Sequence, residues 1–415
     1  MNPTTRVLLA LIVGLIIGVV ISVTDIAAFR AFVSMGEPIG ALWVNAIRMT
    51  VVPLVVSLLV TGVAAWSPTS VGRIGGAALL WFVMLVAAGA VLTAVAAPPL
   101  LGLGQFDGDG FVALRESVAN TQVELPPFRD WIVGLIPANP VAAAAEGAML
   151  PLIVFSTILA MAITRLDTEP RRRLVEFFDA IAKAMLVIVE WILLVAPIGV
   201  FFLVMPLAAN TGIDLVRAMG WFLVVACGLV TVGLVALYPL TAVMGGVSMR
   251  DFARACAPAQ AVAFSTRSSL ASLPAMLEAA DRDLEIPASV SGIVLPVAVA
   301  LLKFSSPIAR GTGTLFIAHL YGIDIGAVEV MTIIGAVAAL SFYSPGVPSG
   351  GLFIMTPIYV ALGLPVEGIG LLIALDLIPD MFISTANVTA DMSVAVILAK
   401  RGSPAHEGRA ADDGE

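Results

Sequence analysis

The sequence predicts an all-α membrane protein. Of its 415 residues, 60% are hydrophobic and only 12% are charged, and apolar runs near the length of a bilayer crossing recur along the chain. The last long apolar stretch, 364–399, nevertheless contains three aspartates. No basic patch with interleaved aromatic residues is present, so a nucleic-acid partner is not expected. The two cysteines predict neither a disulfide framework nor a zinc site.

The apolar segments follow one another along the chain, and the first six cover approximately 7–24, 38–65, 76–101, 128–166, 176–209 and 215–245. The first lacks a small-residue cleavage site, so we predict a membrane helix and not a cleaved signal. Basic residues in 165–173, 250–254 and 400–401 predict cytoplasmic loops, and the acidic loop 102–127 predicts an external one. The expected protein is a multi-pass protein of the cytoplasmic membrane, with eight full crossings and both termini inside.

Two later segments, 252–280 and 326–361, are too long for one crossing and have polar centres, TRSSLASLP and YSPGVPSGG. Charge asymmetry would also allow each segment to cross twice. Irregular backbone at membrane depth is tolerated where it lines a polar cavity. Two interrupted segments in corresponding positions are typical of transporters built from inverted repeats, with a binding site at the midplane. We therefore predict two re-entrant helical hairpins, the first entering from inside and the second from outside.

The final apolar stretch carries a polar stripe. On an α-helix, Asp376, Asp380, Ser384, Asn387 and Asp391 would fall within about 80° of arc. Ionisable groups at membrane depth usually face a cavity, a partner or a substrate path. This stripe is the strongest sequence signal of a functional site.

Motifs in several segments are similar to those of one family. They are IRMTVVPLVVSLLVTG in the second segment, APIGVF at 196–201, the two polar centres described above, and NVTAD at 387–391. On these motifs the chain resembles, nearly end to end, the dicarboxylate/amino acid:cation symporters, the glutamate and aspartate transporter family. The resemblance implies the glutamate-transporter fold, with eight transmembrane helices and two re-entrant hairpins, and a homotrimer embedded in membrane lipid.

The resemblance also implies a division of each protomer into a scaffold and a transport domain that moves like an elevator. The scaffold would comprise 1–74 (spans one and two) and 128–212 (spans four and five). The transport domain would comprise 75–127 (span three and an external loop) and 213–402, with hairpins at 252–280 and 326–361. The tail, 403–415, is predicted to be disordered in the cytoplasm.

By resemblance, Asp380 holds the α-ammonium of an amino acid and Asn387 contacts its α-carboxylate or amino group. A structural ion pair between Asp380 and Arg267 is the alternative, because an unpaired buried charge is costly. The hairpin tips would cradle the substrate, as helix N-termini hold carboxylates. The predicted substrate-binding residues are Arg267, Ser268, Ser269, Gly346, Val347, Pro348, Asp380, Ser384 and Asn387.

Two departures from the family pattern bear on function. Ile383 stands where the family commonly has an arginine for a side-chain carboxylate, so we expect a small neutral amino acid. The family sodium motif Asn-Met-Asp-Gly-Thr is replaced by LKFSS at 302–306. Hard cations bind oxygen ligands, which Leu302 and Phe304 do not supply.

The three carboxylates of the polar stripe are equal in number to three nearby fixed cations, Arg267, Lys303 and Arg310. We hypothesise that the Lys303 ammonium replaces a sodium ion beside Asp391 and loads and releases a proton. A permanent structural cation without ion coupling, and sodium coupling through residual sites, are the alternatives. No cofactor or firm metal site is predicted, and the candidate coupling ions are H⁺ and Na⁺. The predicted cation-coupling or charge-balancing residues are Lys303, Ser306, Arg310, Ser341, Ser344, Asp376 and Asp391.

The sequence thus predicts a secondary active transporter of a small, neutral amino acid or a related carboxylate, independent of sodium. The competing predictions are a sodium-coupled dicarboxylate or amino acid symporter, an anion channel and a substrate sensor on the same fold. An enzyme is not expected, because no Ser/His/Asp set, metal cluster or phosphate loop is found.

Overall fold

The computed structural model describes residues 3–24, 27–65, 72–104, 111, 133, 136–146, 149–323, 325–341, 350–353, 355, 358–359 and 363–402. Within these ranges the regular structure is helical and no β-strand occurs, which confirms the predicted all-α class. Six of the described helices or helix runs are long and apolar enough to cross a membrane, and a bent helix pair forms a further candidate. The total of eight crossings stays a prediction.

The helices are numbered in chain order. They are α1 (Pro3–Thr24), α2 (Ala27–Ala65), α3 (Gly72–Gly102), α4 (Pro140–Ala145), α5 (Met149–Thr164), α6 (Thr168–Leu194), α7 (Ala196–Thr211), α8 (Ile213–Gly245), α9 (Met249–Thr266), α10 (Leu273–Arg282), α11 (Ala288–Leu301), α12 (Ser306–Leu320), α13 (Ala327–Ser341), α14 (Gly350–Phe353), α15 (Glu367–Leu375) and α16 (Leu377–Gly402).

One group of helices forms around α2, which packs against α5, α6 and α7, while α1 lies along α7. Small residues allow this close approach: a Cβ added at Gly18 of α1 would lie 2.5 Å from the Ala208 Cβ of α7. The Trp43 ring covers Gly199, and its indole N–H donates to the Ile192 carbonyl at 3.2 Å. These contacts join α1, α2, α6 and α7 into one packed unit.

A second group surrounds α16, which contacts α8, α9 and α11, while α3 packs against α12. In the apolar window of α16, 83% of residues are buried, against 22% for α1. Hydroxyl groups connect the elements: Thr241 of α8 lies 2.6 Å from Ser393 of α16, and Thr93 of α3 donates to the Pro307 carbonyl at 3.2 Å. The polar stripe is thus carried by the most enclosed candidate span.

The predicted apolar segment 176–209 is divided into two helices. Helices α6 and α7 meet at 59° around Val195. Pro197 lies in the first turn of α7, where it has no N–H to continue the hydrogen-bond ladder of α6. The bend follows from this proline.

The first interrupted segment folds as helix, tip and helix. Helix α9 begins where the Ser248 hydroxyl accepts the Asp251 N–H at 3.1 Å, and it ends at Arg267, whose φ of 56° is left-handed. Helix α10 begins at Leu273 with a proline in its first turn. The two helices contact each other, as the hairpin prediction requires, while re-entry into the bilayer stays a prediction.

The second interrupted segment is described only at its flanks, where α13 ends at Ser341 and α14 begins at Gly350. The predicted tip residues Ser344, Gly346, Val347 and Pro348 therefore lie outside the described residues. The predicted tail 403–415 and most of the loop 102–127 also lie outside them.

Candidate functional site

The polar stripe is present, but its helix is broken near one end. Helix α15 ends at Leu375 and α16 starts at Leu377, so Asp376 lies at the junction. Pro379 explains the break, because it has no N–H to bond the Leu375 carbonyl. The ladder resumes when the Asp380 N–H donates to the Asp376 carbonyl at 2.8 Å. The helix on which the stripe was placed therefore carries Asp380 to Asp391, while Asp376 lies at the break before it.

The stripe residues are enclosed by protein. Exposed fractions are 5% for Asp376, 4% for Asp380, 5% for Ser384, 4% for Asn387 and 0% for Asp391. Burial of three carboxylates is costly unless each is matched by a cation or hydrogen bonds. The surrounding helices therefore have to supply those partners.

Ser305, in the break between α11 and α12, orients Asn387. Its backbone N–H donates to the Asn387 Oδ1 at 3.0 Å. Its hydroxyl lies 2.9 Å from both that oxygen and the Ile383 carbonyl, so one proton serves two acceptors. Both contacts with Asn387 use the amide oxygen, which directs the Nδ2 donors elsewhere. Ser305 was not among the predicted site residues; its place in the LKFSS break was the only sequence signal.

Lys303 lies in the same break and is only 5% exposed. Its ammonium donates to the Ser269 hydroxyl at 3.3 Å and to the Val299 carbonyl. Ser269 belongs to the tip between α9 and α10, so the ammonium connects this tip to the broken helix α11–α12. The structure thus brings together Ser269, which was predicted to bind substrate, and Lys303, which was predicted to balance charge.

Asp391, on α16, is the carboxylate on which the Lys303 ammonium acts. Neither of its oxygens has a hydrogen-bond partner among the described residues. The Lys303 ammonium interacts with it electrostatically, and the Arg310 guanidinium also acts on Lys303. Leu302 and Phe304, on either side of Lys303, are buried and apolar. The described residues contain no group of three or more His, Cys, Asp or Glu that could hold a metal ion.

A cavity opens on the adjacent face of α16. It is small and partly open, and its volume of about 10 Å³ has room for about one water molecule. Arg310, Asp376 and Ile383 line it together with the apolar side chains of Phe222, Leu352 and Leu372. Arg310 is 6% exposed, and its Nε and Nη1 atoms have no hydrogen-bond partner in the part of the chain that the structure describes. A Cβ added at Gly351 would collide with the Arg310 guanidinium, so the glycine makes room for it.

The remaining predicted residues differ in their surroundings. In the first tip, Arg267 and Ser268 are half-buried, and the Ser268 hydroxyl accepts the Ala271 N–H at 3.3 Å. The Ser341 hydroxyl donates to the Val337 carbonyl of its own helix at 2.7 Å. The buried Ser306 hydroxyl has no partner among the described residues. Among the described residues, no hydrogen bond joins Ser341 to the Lys303 region.

A second polar connection was missed by sequence reasoning. The Gln260 Nε2 of α9 donates to the Tyr238 hydroxyl and to the Thr389 Oγ1, both at 2.8 Å. Thr389 lies two residues after Asn387, so this amide ties α8 and α9 to the centre of the stripe. A lone glutamine in an apolar helix was the only sequence signal.

Comparison with known proteins agrees with this architecture. Residues 4–401 match the sodium:dicarboxylate symporter family. The chain is 26% identical over 410 residues to a proton/glutamate-aspartate symporter of Escherichia coli, covering 95% of this chain and 92% of that protein. It is 26% identical over 397 residues to a proton/sodium-glutamate symport protein of Bacillus subtilis, covering 94% and 91%.

A relative that is named for a different substrate class is also found. The chain is 28% identical over 394 residues to the neutral amino acid transporter B(0) of Bos taurus, covering 86% of this chain and 72% of that protein. The relatives thus include transporters named for acidic and for neutral amino acids. With the apolar helices, the buried stripe and a match over 4–401, the chain is a multi-pass membrane protein that belongs to the sodium:dicarboxylate symporter family.

Proposed function

We propose that the protein is a secondary active transporter of a small amino acid or a related carboxylate, in which the Lys303 ammonium takes the place of a bound sodium ion. One observation carries the proposal: a buried lysine lies in the helix break and acts electrostatically on a fully enclosed carboxylate, Asp391. The substrate class is supported by relatives named for glutamate, aspartate and neutral amino acids.

The substrate lies, in this proposal, between the first tip and α16. Asp380 accepts the α-ammonium, which is the role that the resemblance to the family implies for this aspartate. The Nδ2 donors of Asn387 face the α-carboxylate, since Ser305 holds the amide oxygen from the opposite side. Backbone N–H groups and hydroxyls of the tip, including Ser268 and Ser269, complete the carboxylate cradle.

The surroundings of Asp391 are unsuited to sodium. A sodium ion needs several oxygen ligands, but of the side chains in the break, Leu302, Lys303 and Phe304 carry none, and the Ser305 hydroxyl already contacts Asn387 and the Ile383 carbonyl. An ammonium there would also repel a second cation. The same ammonium supplies the positive charge that the Asp391 carboxylate requires. We therefore infer transport that does not depend on sodium.

Proton coupling is the further step of the proposal. If Lys303 releases its proton on one side of the membrane and regains it on the other, a proton gradient drives substrate accumulation. If it keeps the proton, the protein exchanges or equilibrates substrate only. The name of the Escherichia coli relative, a proton/glutamate-aspartate symporter, favours the first alternative.

The proposed mechanism is of the elevator type, in a homotrimer with both termini inside. The packing of α1, α2 and α5–α7 into one group and of the helices around α16 into another is what a scaffold and a transport domain would require. In this mechanism the second group moves against the first and carries the substrate site with it.

The test is uptake of labelled amino acids into proteoliposomes with imposed gradients. We expect uptake without sodium by the unaltered protein and its loss in Lys303→Met. Lys183→Met is the matched control, because Lys183 is exposed and pairs with Asp179 at 2.6 Å on α6. An acid-outside pH gradient that increases accumulation supports proton coupling. Strict sodium dependence that is the same in unaltered protein and Lys303→Met would refute the proposal.

A further inference from the structure

The cavity beside α16 contains a cation that is only partly hydrogen-bonded. Arg310 is only 6% exposed, and two of its nitrogens, Nε and Nη1, have no hydrogen-bond partner among the described residues. Buried polar groups are almost always satisfied, and a buried cation left without hydrogen bonds costs several kcal/mol. Such an arrangement indicates an anionic ligand that enters the cavity.

The guanidinium suits a carboxylate in particular. Its planar fork of donors forms two parallel hydrogen bonds with the two oxygens of a carboxylate. Asp376 lines the same cavity, but one protein carboxylate cannot occupy all five N–H donors of an arginine. Lys303, within electrostatic range of Arg310, increases the positive potential that a ligand carboxylate would meet.

The cavity lies next to the proposed amino acid site. Ile383 lines it and lies three residues after Asp380 and four before Asn387, so it is about one helix turn from each. An amino acid held by Asp380 and Asn387 can therefore extend its side chain past Ile383 and place one oxygen of a terminal carboxylate in the cavity, which has room for about one water molecule. The apolar walls formed by Phe222, Leu352 and Leu372 would contact the methylene groups of that side chain.

We propose that Arg310 binds the side-chain carboxylate of the substrate, so that the protein selects an acidic amino acid of aspartate or glutamate size. The proposal rests on the proposed function and replaces the expectation of a neutral substrate, which was drawn from Ile383 alone. Arg310 delivers from α12 a positive charge to a cavity that is lined by Pro379 and Ile383 of α16 and by Asp376 at the junction before it. Gly351 is part of this arrangement, because any larger residue there would displace the guanidinium.

The first test needs no variant. Binding of aspartate against asparagine, and of glutamate against glutamine, is measured by calorimetry on the purified full-length protein. We expect each acid to bind at least about 30-fold more tightly than its amide, since losing one partner of a buried charged pair costs two or more kcal/mol. Equal or tighter binding of the amides would overturn the proposal.

The second test moves the positive charge of the cavity from position 310 to position 383. Arg310→Gln is expected to reduce aspartate or glutamate affinity by about 30-fold or more and to leave asparagine or glutamine affinity within about threefold. Adding Ile383→Arg to Arg310→Gln is expected to recover most of the lost affinity. The exposed Arg217→Gln, which removes an arginine paired with Asp214 at 3.4 Å, is the matched control and is expected to change neither.

The outcomes separate the two proposals. If neutral amino acids bind and Arg310→Gln leaves the acid-to-amide ratio unchanged, the role of Arg310 is wrong while the transporter proposal stands. If neither amino acids nor dicarboxylates bind or are taken up by the unaltered protein, both proposals are wrong. Succinate binding that exceeds aspartate binding would retain Arg310 as a carboxylate receptor but overturn the selection of an amino acid.

Discussion

Replacing Lys303 by methionine removes the ammonium that acts on Asp391. That carboxylate, which is 0% exposed and has no hydrogen-bond partner among the described residues, is then left in an apolar setting. Removing one partner of a buried charge pair destabilises a protein by about 3–5 kcal/mol. For a chain of this size, we expect roughly 2 °C of melting temperature per kcal/mol. Lys303→Met should therefore lower the melting temperature by roughly 6–10 °C in sodium-free buffer.

The partner variant completes a double-mutant cycle. Asp391→Asn alone should destabilise to a similar extent, since it leaves the Lys303 ammonium uncompensated. The double variant Lys303→Met/Asp391→Asn should recover at least about 2 kcal/mol of the summed losses, because neither charge remains buried. Thermal unfolding of the protein in detergent, followed by the fluorescence of its tryptophans, measures all four proteins.

Sodium supplies a second readout. A cation that binds only the folded state raises stability in proportion to the logarithm of its concentration above Kd. Sodium chloride should therefore stabilise Lys303→Met more than the unaltered protein, with choline chloride as the control for ionic strength. Additive single and double variants, or equal sodium effects in both proteins, would contradict the pairing of Lys303 with Asp391.

Three further predictions concern neighbouring contacts. Ser305→Ala removes one hydrogen bond to Asn387, so substrate affinity measured by calorimetry should fall about tenfold, while a change of less than twofold would exclude the clamp. Gly199→Leu should lower thermal stability by about 3 kcal/mol or more, because the new side chain meets the Trp43 ring, and unaltered melting would contradict that packing. Gln260→Met should cost about 1–3 kcal/mol of stability by unfolding assay, since two hydroxyls lose their donor, and no loss would show that the amide contact is dispensable.

Local sequence patterns account for much of the fold. Apolar length predicts the long helices, and the period of the α-helix places Asp380, Asn387 and Asp391 on one face. The break at Asp376 was also accessible, because Pro379 was visible in the sequence and removes a backbone donor. The bend at Val195 has the same cause in Pro197.

The contacts that build the candidate site are of another kind. Ser305 and Asn387 are separated by 82 positions, and Lys303 and Ser269 by 34. Nothing in the spacing of one helix indicates which residue of another helix lies opposite. For the same reason, the sequence alone indicated that a positive charge is missing at Ile383. The structure places the positive charge of Arg310 in the cavity that Ile383 lines.

The covalent attachment of the Lys303 ammonium has a consequence for membrane voltage. In the proposed elevator, an ammonium that keeps its proton travels with Asp391 in both directions, so the pair displaces no net charge across the electric field. If Lys303 releases its proton on one side, the pair returns with the negative charge of Asp391. An exchangeable sodium ion beside the same carboxylate would cross in one direction only, and each such charge is driven by about 2.3 kcal/mol per 100 mV. A lysine built into the helix break thus makes voltage dependence a readout of proton coupling, because this step is electrically silent when Lys303 keeps its proton and moves one charge per cycle when it does not.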